Sequence, residues 1–193
     1  GLIYGGAGND TMYVNAGGGT KASVYGGSGN DSVDFNGLAV TSAYFQGGVG
    51  KDTFKLGALT SSTIFGDDSA DGSTGEADSI SLTGDVSSSK IYGNAGDDRI
   101  SLDNGFIASS LYGGSGADSV WLVDGASTAA LIDGGMGNDF LSVGGLARTS
   151  SLLGASGEDT LLVAGAATEW YVDGGSGNDS LSIAGLNELT TVL

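Results

Sequence analysis

The sequence predicts an all-β fold, a right-handed parallel β-roll (β-solenoid) in which coils of about 20 residues stack along one axis. Three observations predict it: an Asp closes a glycine-rich turn nine times, apolar residues recur in rows beside these turns, and no helical pattern is present. The aspartates are Asp10, Asp31, Asp52, Asp78, Asp98, Asp118, Asp139, Asp159 and Asp179. We expect residues 1–193 to form one repeat domain of about nine coils. Because the chain starts and stops inside a unit, we expect it to be a segment of a longer solenoid or a unit that stacks end to end.

Three apolar rows flank the turns. The row two residues after each Asp holds Met12, Val33, Phe54, Ile80, Ile100, Val120, Leu141, Leu161 and Leu181. The row four residues after it holds Val14, Phe35, Leu56, Leu82, Leu102, Leu122, Val143, Val163 and Ile183. The row before the turns holds Ile3, Val24, Phe45, Ile64, Ile91, Leu111, Ile132, Leu152 and Val172. Because polar residues mostly alternate with these positions, each coil is predicted to contribute two short strands that bury a core between two parallel sheets.

The return loops carry a glycine row of their own. It consists of Gly17, Gly37, Gly57, Gly84, Gly105, Gly125, Gly145, Gly165 and Gly185. A glycine at the same place in each loop predicts a turn with positive φ at the edge opposite the Asp turns.

The composition limits the classes of function. The chain has no Cys and no His, and its 23 acidic and 6 basic residues give a formal charge of −17. Without disulfides, an extracellular protein of this kind needs another means of stabilisation. The charge disfavours nucleic acid as a partner, and no apolar run reaches the length of a membrane span. With no His or Cys, and with the carboxylates in a regular row, we expect no enzyme activity.

The glycine-rich turns suit calcium. Ca²⁺ prefers about six to eight oxygen ligands, which backbone carbonyls of a side-chain-free turn and a closing carboxylate can supply. Aspartates stacked roughly 4.8 Å apart would repel one another without cations. Nine turns leave eight gaps, so about eight Ca²⁺ ions would nearly cancel the charge of −17. The predicted ligands are the nine aspartates with Gly6, Gly8, Gly27, Gly29, Gly48, Gly50, Gly96, Gly114, Gly116, Gly135, Gly137, Gly157, Gly175 and Gly177.

Residues 5–13 (GGAGNDTMY) and their copies resemble the calcium-binding nonapeptide of the repeats-in-toxin (RTX) family. The best copies are residues 26–31, 47–52, 113–118, 134–139 and 174–179, whereas 93–98 and 154–159 lack the second glycine and are expected to bind more weakly. The resemblance implies calcium between successive turns, and folding after export to the calcium-rich exterior. Family rolls typically carry the motif on both edges, but in this chain only one edge carries it. In this respect the chain resembles the repeats of bacterial surface-layer and surface-fibril proteins.

The fourth unit is longer by about six residues. Its residues 67–78 fit a twelve-residue calcium loop, with Asp67, Ser69 and Asp71 at positions 1, 3 and 5, Ser73 offering a carbonyl, and Asp78 at the end. This insertion holds one further calcium ion or is a solvated acidic loop.

Several apolar side chains are predicted to face outward. Tyr4, Tyr25, Phe65, Tyr92 and Tyr112 form one row, which is either a carbohydrate-binding surface or a ladder that stabilises the sheet. Other outward residues, predicted to contact another protein surface, are Tyr13, Trp121, Phe140, Leu153 and Leu162. An ice-binding surface is disfavoured because the turn residues are irregular from coil to coil.

The function predicted from these observations is structural. We expect an extracellular, calcium-stabilised protein that associates with copies of itself in a surface layer, sheath or filament. The alternatives are an adhesin or carbohydrate-binding module that binds cell-surface polysaccharide, and a spacer or secretion module of an exported enzyme.

Overall fold

The computed structural model describes residues 1–15, 20–68, 75–186 and 191–193. Within these residues, every regular element is a β-strand, and all strand pairs are parallel. The described residues contain no helix that is long and apolar enough to cross a membrane. The chain is therefore a β-solenoid of about nine coils with about 20 residues per coil, as the sequence predicts.

The strands, numbered in chain order, fall into three ladders. The first ladder contains β1 (Leu2–Ala7), β3 (Ser23–Ser28), β6 (Tyr44–Val49), β9 (Thr63–Asp67), β12 (Lys90–Ala95), β15 (Ser110–Ser115), β18 (Leu131–Met136), β21 (Ser151–Ser156), β23 (Tyr171–Asp173) and β25 (Thr191–Val192). The second contains β2 (Thr11–Tyr13), β4 (Ser32–Asp34), β7 (Thr53–Leu56), β10 (Ser79–Leu82), β13 (Arg99–Leu102), β16 (Ser119–Leu122), β19 (Phe140–Val143), β22 (Thr160–Thr168) and β24 (Ser180–Leu186). The third contains β5 (Val40–Thr41), β8 (Leu59–Thr60), β11 (Val86–Ser87), β14 (Phe106–Ile107), β17 (Ser127–Thr128) and β20 (Ala147–Arg148).

The third ladder corrects the prediction of two strands per coil. Its strands have two residues each, and the long strand β22 joins it to the second ladder. Val40, Leu59, Val86 and Phe106 point inward from it and are fully buried. A two-residue strand is too short to show an alternating pattern, so the sequence did not reveal it.

The three predicted apolar rows form the core. Equivalent residues pair in register from coil to coil, as in Val24 with Phe45 and Phe45 with Ile64. From the second coil to the eighth, the side chains of these rows are almost completely buried. In-register stacking therefore buries apolar side chains that a single coil would leave exposed to water.

The prediction of positive φ for the loop glycines is wrong for most of them. Among those in the described residues, Gly37 and Gly125 have positive φ, and Gly17 lies outside the described residues. Most of the others are required for close packing, because a Cβ atom on Gly57 or Gly145 would collide with the carbonyl oxygen of the glycine one coil earlier. A different position of this edge is left-handed in successive coils, and its residues are not glycines: Lys21, Ser42, Ser61, Ser88, Ala108, Ala129, Thr149 and Glu169.

Directly after four of these left-handed residues, buried serines form a hydrogen-bonded row, here called the serine ladder (Ser62, Ser89, Ser109 and Ser150). Each hydroxyl oxygen accepts the backbone N–H of the equivalent residue one coil earlier, at 2.9–3.1 Å. Each hydroxyl also donates to the carbonyl two residues before it, at 2.7–2.8 Å. Both functions of the serine side chain are therefore satisfied within the chain.

Candidate calcium-binding edge

The nine turn aspartates form a continuous hydrogen-bonded row, here called the aspartate ladder. At each of its eight steps, the backbone N–H of one Asp donates to Oδ1 of the Asp one coil later, at 2.7–2.9 Å. The ladder includes Asp78, although the fourth unit is longer, because its side chain accepts from the N–H of Asp52. The structure thus brings all nine predicted aspartates to one edge.

The second carboxylate oxygen is buried without a partner in eight of these aspartates. In the described residues, Oδ2 is buried without a hydrogen bond in Asp10, Asp31, Asp52, Asp78, Asp98, Asp118, Asp139 and Asp159. From Asp31 to Asp159 the aspartates are only 1–3% exposed. Burying a charged oxygen without a partner is costly, so this row requires a proton or a cation.

Burial raises the pKa of these carboxyl groups. It raises the pKa of Asp78 to about 9, of Asp98 to about 8, of Asp52 and Asp118 to about 7, and of Asp139 to about 6. The backbone N–H bond to Oδ1 opposes this effect, and the charges of neighbouring carboxylates add to it. At neutral pH the ladder therefore holds its full negative charge only at a cost in stability.

The first glycine of each turn packs against the unpartnered oxygen. A Cβ atom on Gly26 would collide with the carbonyl oxygen of Gly47 in the next coil and approach Oδ2 of Asp31 to 2.5 Å. This glycine row is not among the residues predicted from the sequence to line the calcium sites. The signal was present, because all nine turns have glycine at this position: Gly5, Gly26, Gly47, Gly66, Gly93, Gly113, Gly134, Gly154 and Gly174.

The predicted second and fourth glycines face the gap between turns. Their φ angles lie between +94° and +143°, a region that L-residues rarely adopt. A Cβ atom on Gly27 would collide with the carbonyl oxygen of Gly6, and one on Gly29 with that of Gly8. At Gly27 and Gly29, backbone carbonyls of the preceding turn therefore line the gap and leave no room for a side chain.

These residues fit calcium. Within the described residues, no group of three or more Asp, Glu, His or Cys side chains could hold a metal. The donors must therefore be mainly backbone carbonyls, which Ca²⁺ accepts and which a thiolate- or imidazole-binding metal does not favour. The Asp Oδ2 atoms and the carbonyls of the turn glycines would hold the ion, and its charge would offset that of the buried carboxylates.

Two of the turns that lack the second glycine keep a positive φ at its position. Asn94 has φ of 81° and Ala155 has φ of 78° at this position. Asn adopts the left-handed region more readily than Ala does, so the turn at Ala155 carries more backbone strain. The prediction that calcium binds more weakly at these two turns stays a prediction.

The two ends of the predicted twelve-residue loop lie within the described residues. Asp67 ends β9 in register with Gly48, and Asp78 is a member of the aspartate ladder. Both predicted end ligands of the loop therefore lie in the turn edge itself. Ser69, Asp71 and Ser73 lie outside the described residues.

The predicted outward residues lie on two opposite sheets. Trp121 and Phe140 are in contact on the second ladder, with ring centroids 5.7 Å apart, and the Arg99 guanidinium lies 4.2 Å from the centre of the Trp121 ring. Leu162 lies on the same ladder beside Ser142, and Tyr13 is 56% exposed at its first-coil end. Leu153 belongs to the first ladder, as do Tyr4, Tyr25, Tyr92 and Tyr112.

The aromatic row is longer than predicted. The third coil has Gln46 in the row, but the Tyr44 ring fills its place, 5.5 Å from Tyr25 and 5.6 Å from Phe65. Together the rings form one stack over six coils, with centroids 4.7–5.6 Å apart, of Tyr4, Tyr25, Tyr44, Phe65, Tyr92 and Tyr112. Tyr44 was not predicted to belong to the row because it lies two residues before the row position.

Comparison with protein families agrees with this geometry. The model of the RTX calcium-binding nonapeptide repeat (four copies) matches residues 2–20, 23–37, 81–106, 108–129 and 171–182, about half of the chain. No curated protein and no solved structure matches the chain. The turns that end at Asp52, Asp78, Asp139 and Asp159 lie outside the matched segments, yet their aspartates take part in the same ladder.

Proposed function

Because the chain is built of RTX calcium-binding nonapeptide repeats, we propose that it is an extracellular structural protein that folds on binding calcium. The proposal extends to association with copies of itself in a surface layer, sheath or filament. It includes no catalytic role. The observation that carries the calcium part is the row of eight buried Asp Oδ2 atoms without a hydrogen-bond partner.

Calcium would act on the folded state alone. The ligands of one gap come from two coils about 20 residues apart, and the unfolded chain does not hold them together. A site occupied at 100 times its dissociation constant contributes about 2.7 kcal/mol to stability, so several independent sites decide whether the chain folds. Low calcium would leave the chain unfolded for export, and the calcium-rich exterior would fold it.

Self-association is supported by the character of the outward faces. Along the outward positions of the first ladder, the charged residues are Lys90, Asp133 and Asp173. With calcium offsetting the charge of the turn edge, weakly charged faces with aromatic residues suit contact with another protein surface.

The stacked rings support the sheet-stabilising alternative for the aromatic row. Three of the pairs lie within 17° of parallel, so ring faces are turned toward neighbouring rings. A sugar needs an open ring face to stack on, and most faces of this row are covered. We therefore assign the row to sheet stability and retain the carbohydrate-binding alternative for an open face such as that of Tyr4, which is 66% exposed.

The experiment that tests the proposal has two stages. Circular dichroism of the metal-stripped chain at neutral pH should show little strand content, and added Ca²⁺ should restore it. Equal strand content in calcium and in chelator would contradict calcium-coupled folding. Electron microscopy should then show filaments or sheets in calcium but not in chelator. Separate particles in both calcium and chelator would contradict the assembly role.

A further inference from the structure

The fourth coil places a carboxylate where the other turns have a small or amide side chain. Asp67 pairs in register with Gly48 and so occupies the position of the second glycine. In the other coils this position is glycine, Asn94 or Ala155. The insertion follows Asp67, and the chain returns to the turn at Gly75 before it reaches Asp78.

The Asp67 side chain faces the next coil. Its Oδ2 accepts the backbone N–H of Ala95 at 3.2 Å, and its backbone carbonyl accepts from Nδ2 of Asn94 at 3.2 Å. A Cβ atom on Gly75 would collide with both Asp67 Oδ2 and the carbonyl oxygen of Ala95. Asp67 is 9% exposed. The carboxylate therefore lies in the gap between the fourth and fifth turns.

A second carboxylate oxygen enters the same gap. Asp78 is 2% exposed, and its Oδ2 has no hydrogen-bond partner. A Cβ atom on Gly66 would collide with this Oδ2 and with the carbonyl oxygen of Gly93 in the fifth coil. Two carboxylates of the fourth coil therefore lie beside backbone carbonyls of the fifth, Asp78 beside that of Gly93 and Asp67 beside that of Ala95.

We propose that the gap between the fourth and fifth coils is the highest-affinity calcium site of this chain, with Asp67 as an additional ligand beside Asp78. The inference rests on the proposed calcium binding. Two carboxylates match the charge of one Ca²⁺ ion, and affinity in oxygen-ligand sites rises with the number of charged ligands. The insertion therefore adds a ligand to the row of gaps instead of forming a separate loop site.

The test is a calcium titration of the whole chain, stripped of metal, by calorimetry with a competing chelator at neutral pH. We expect a first step of about one ion per chain, tighter than the later steps. Asp67→Asn should weaken that first step by roughly tenfold or more, because it removes one charge from the gap. Asp68→Asn removes a charge from the neighbouring exposed residue and should change the first step by no more than about twofold.

Two further variants separate the competing explanations. Asp67→Gly restores the residue found in most turns, and it should fold in saturating calcium, by circular dichroism, while losing the tight first step. Asp71→Asn removes a ligand that the twelve-residue loop requires, and it should leave the first step unchanged.

Each outcome bears on a different claim. A tight step that persists in both Asp67→Asn and Asp67→Gly overturns the inference while calcium binding stands. Loss of the step in Asp71→Asn also overturns it and assigns the ion to the insertion loop. A wild-type chain that binds no calcium at all overturns the proposed function itself.

Discussion

The two edges of the solenoid use different side chains to accept backbone N–H groups. On both, a buried polar side chain accepts the backbone N–H of the coil before it. The hydroxyl of the serine ladder then donates its own proton to a carbonyl, whereas the ionised Asp has no proton to donate and leaves Oδ2 without a partner. The hydrogen bonds of the serine ladder are complete within the chain, whereas the aspartate ladder needs a cation or a proton. We therefore expect the control of folding to reside on the aspartate edge.

The largest expected effect tests whether a proton can replace calcium. Burial raises the pKa of Asp78 to about 9 and of Asp98 to about 8, from an ordinary value of 3.8. A raised carboxyl pKa favours the protonated folded chain, so the calcium-free fold is most stable below about pH 4 and loses stability up to about pH 9. Circular dichroism of the metal-stripped chain should show more strand content near pH 5 than near pH 8.

A matched pair of variants separates burial from net charge. Asp98→Asn is neutral at every pH and should raise the strand content of the metal-free chain near pH 8. Asp124→Asn removes the same charge from an exposed loop residue and should leave it unchanged. Equal effects of the two variants would show that overall repulsion, and not the buried ladder, controls the pH dependence.

The next largest effect compares one glycine from each edge. A Cβ atom on Gly113 would collide with the carbonyl oxygen of Gly134 and with Oδ2 of Asp118, so Gly113→Ala should lower the free energy of unfolding by about 3 kcal/mol. On Gly105, a Cβ atom would have no contact closer than 3.2 Å, to the exposed Asp85. Gly105→Ala should therefore cost less than about 1 kcal/mol. Urea titrations in saturating calcium measure both values, and a similar cost for both variants would remove the distinction between the edges.

A smaller effect tests whether the serine edge is independent of calcium. Ser109→Ala leaves the N–H of Ser89 without its acceptor, and should cost about 1–2 kcal/mol in saturating calcium. The reverse change is Ala130→Ser in the wild-type chain, which adds a hydroxyl at the equivalent position one coil later. It should raise the free energy of unfolding by part of the amount that Ser109→Ala removes. Calcium affinity per site should stay the same in both variants, and a shift in affinity would mean that the two edges are coupled.

The smallest effect concerns strain on the aspartate edge. Ala155 has φ of 78°, where glycine is preferred. Ala155→Gly should raise the free energy of unfolding by about 0.5 kcal/mol, the relief of strain less the greater entropy of glycine in the unfolded chain. Gly135→Ala, at the same position one coil earlier, should lower it, because its Cβ atom would collide with the carbonyl oxygen of Gly114. Denaturation midpoints that move in the same direction for both variants would contradict this account.

The parts of the structure that repeat were predictable from the sequence. The apolar rows and the turn aspartates recur at fixed spacing, so core and ladder follow from one coil and the rule that coils stack in register. The left-handed position of the return edge was not predictable, because residues as different as Lys21, Ala108 and Glu169 occupy it. Their common feature is a backbone conformation, which leaves no signature in the side chains.

Contacts between non-equivalent positions of different coils also could not be predicted from the sequence. In the third coil the aromatic row has Gln46 instead of a ring, and the ring of Tyr44, two residues earlier, takes this place between Tyr25 and Phe65. The sequence predicts Asp67 at the start of a calcium loop. In the structure it ends a strand, and its side chain faces the next coil. In both cases the side chain's direction decides its partner, and spacing along the chain does not contain that information.

The acidic residues make the glycine-turn edge a line of charge. Fifteen of the 23 acidic residues fall in these turns, with Lys51 as the one basic residue among them. One Asp every roughly 4.8 Å is sparser than the phosphates of DNA, at about 1.7 Å per charge, but it is still a row that attracts mobile counterions. Calcium must displace those monovalent ions as it enters, so the affinity should fall steadily as salt rises. Salt concentration would then shift the calcium level at which the chain folds.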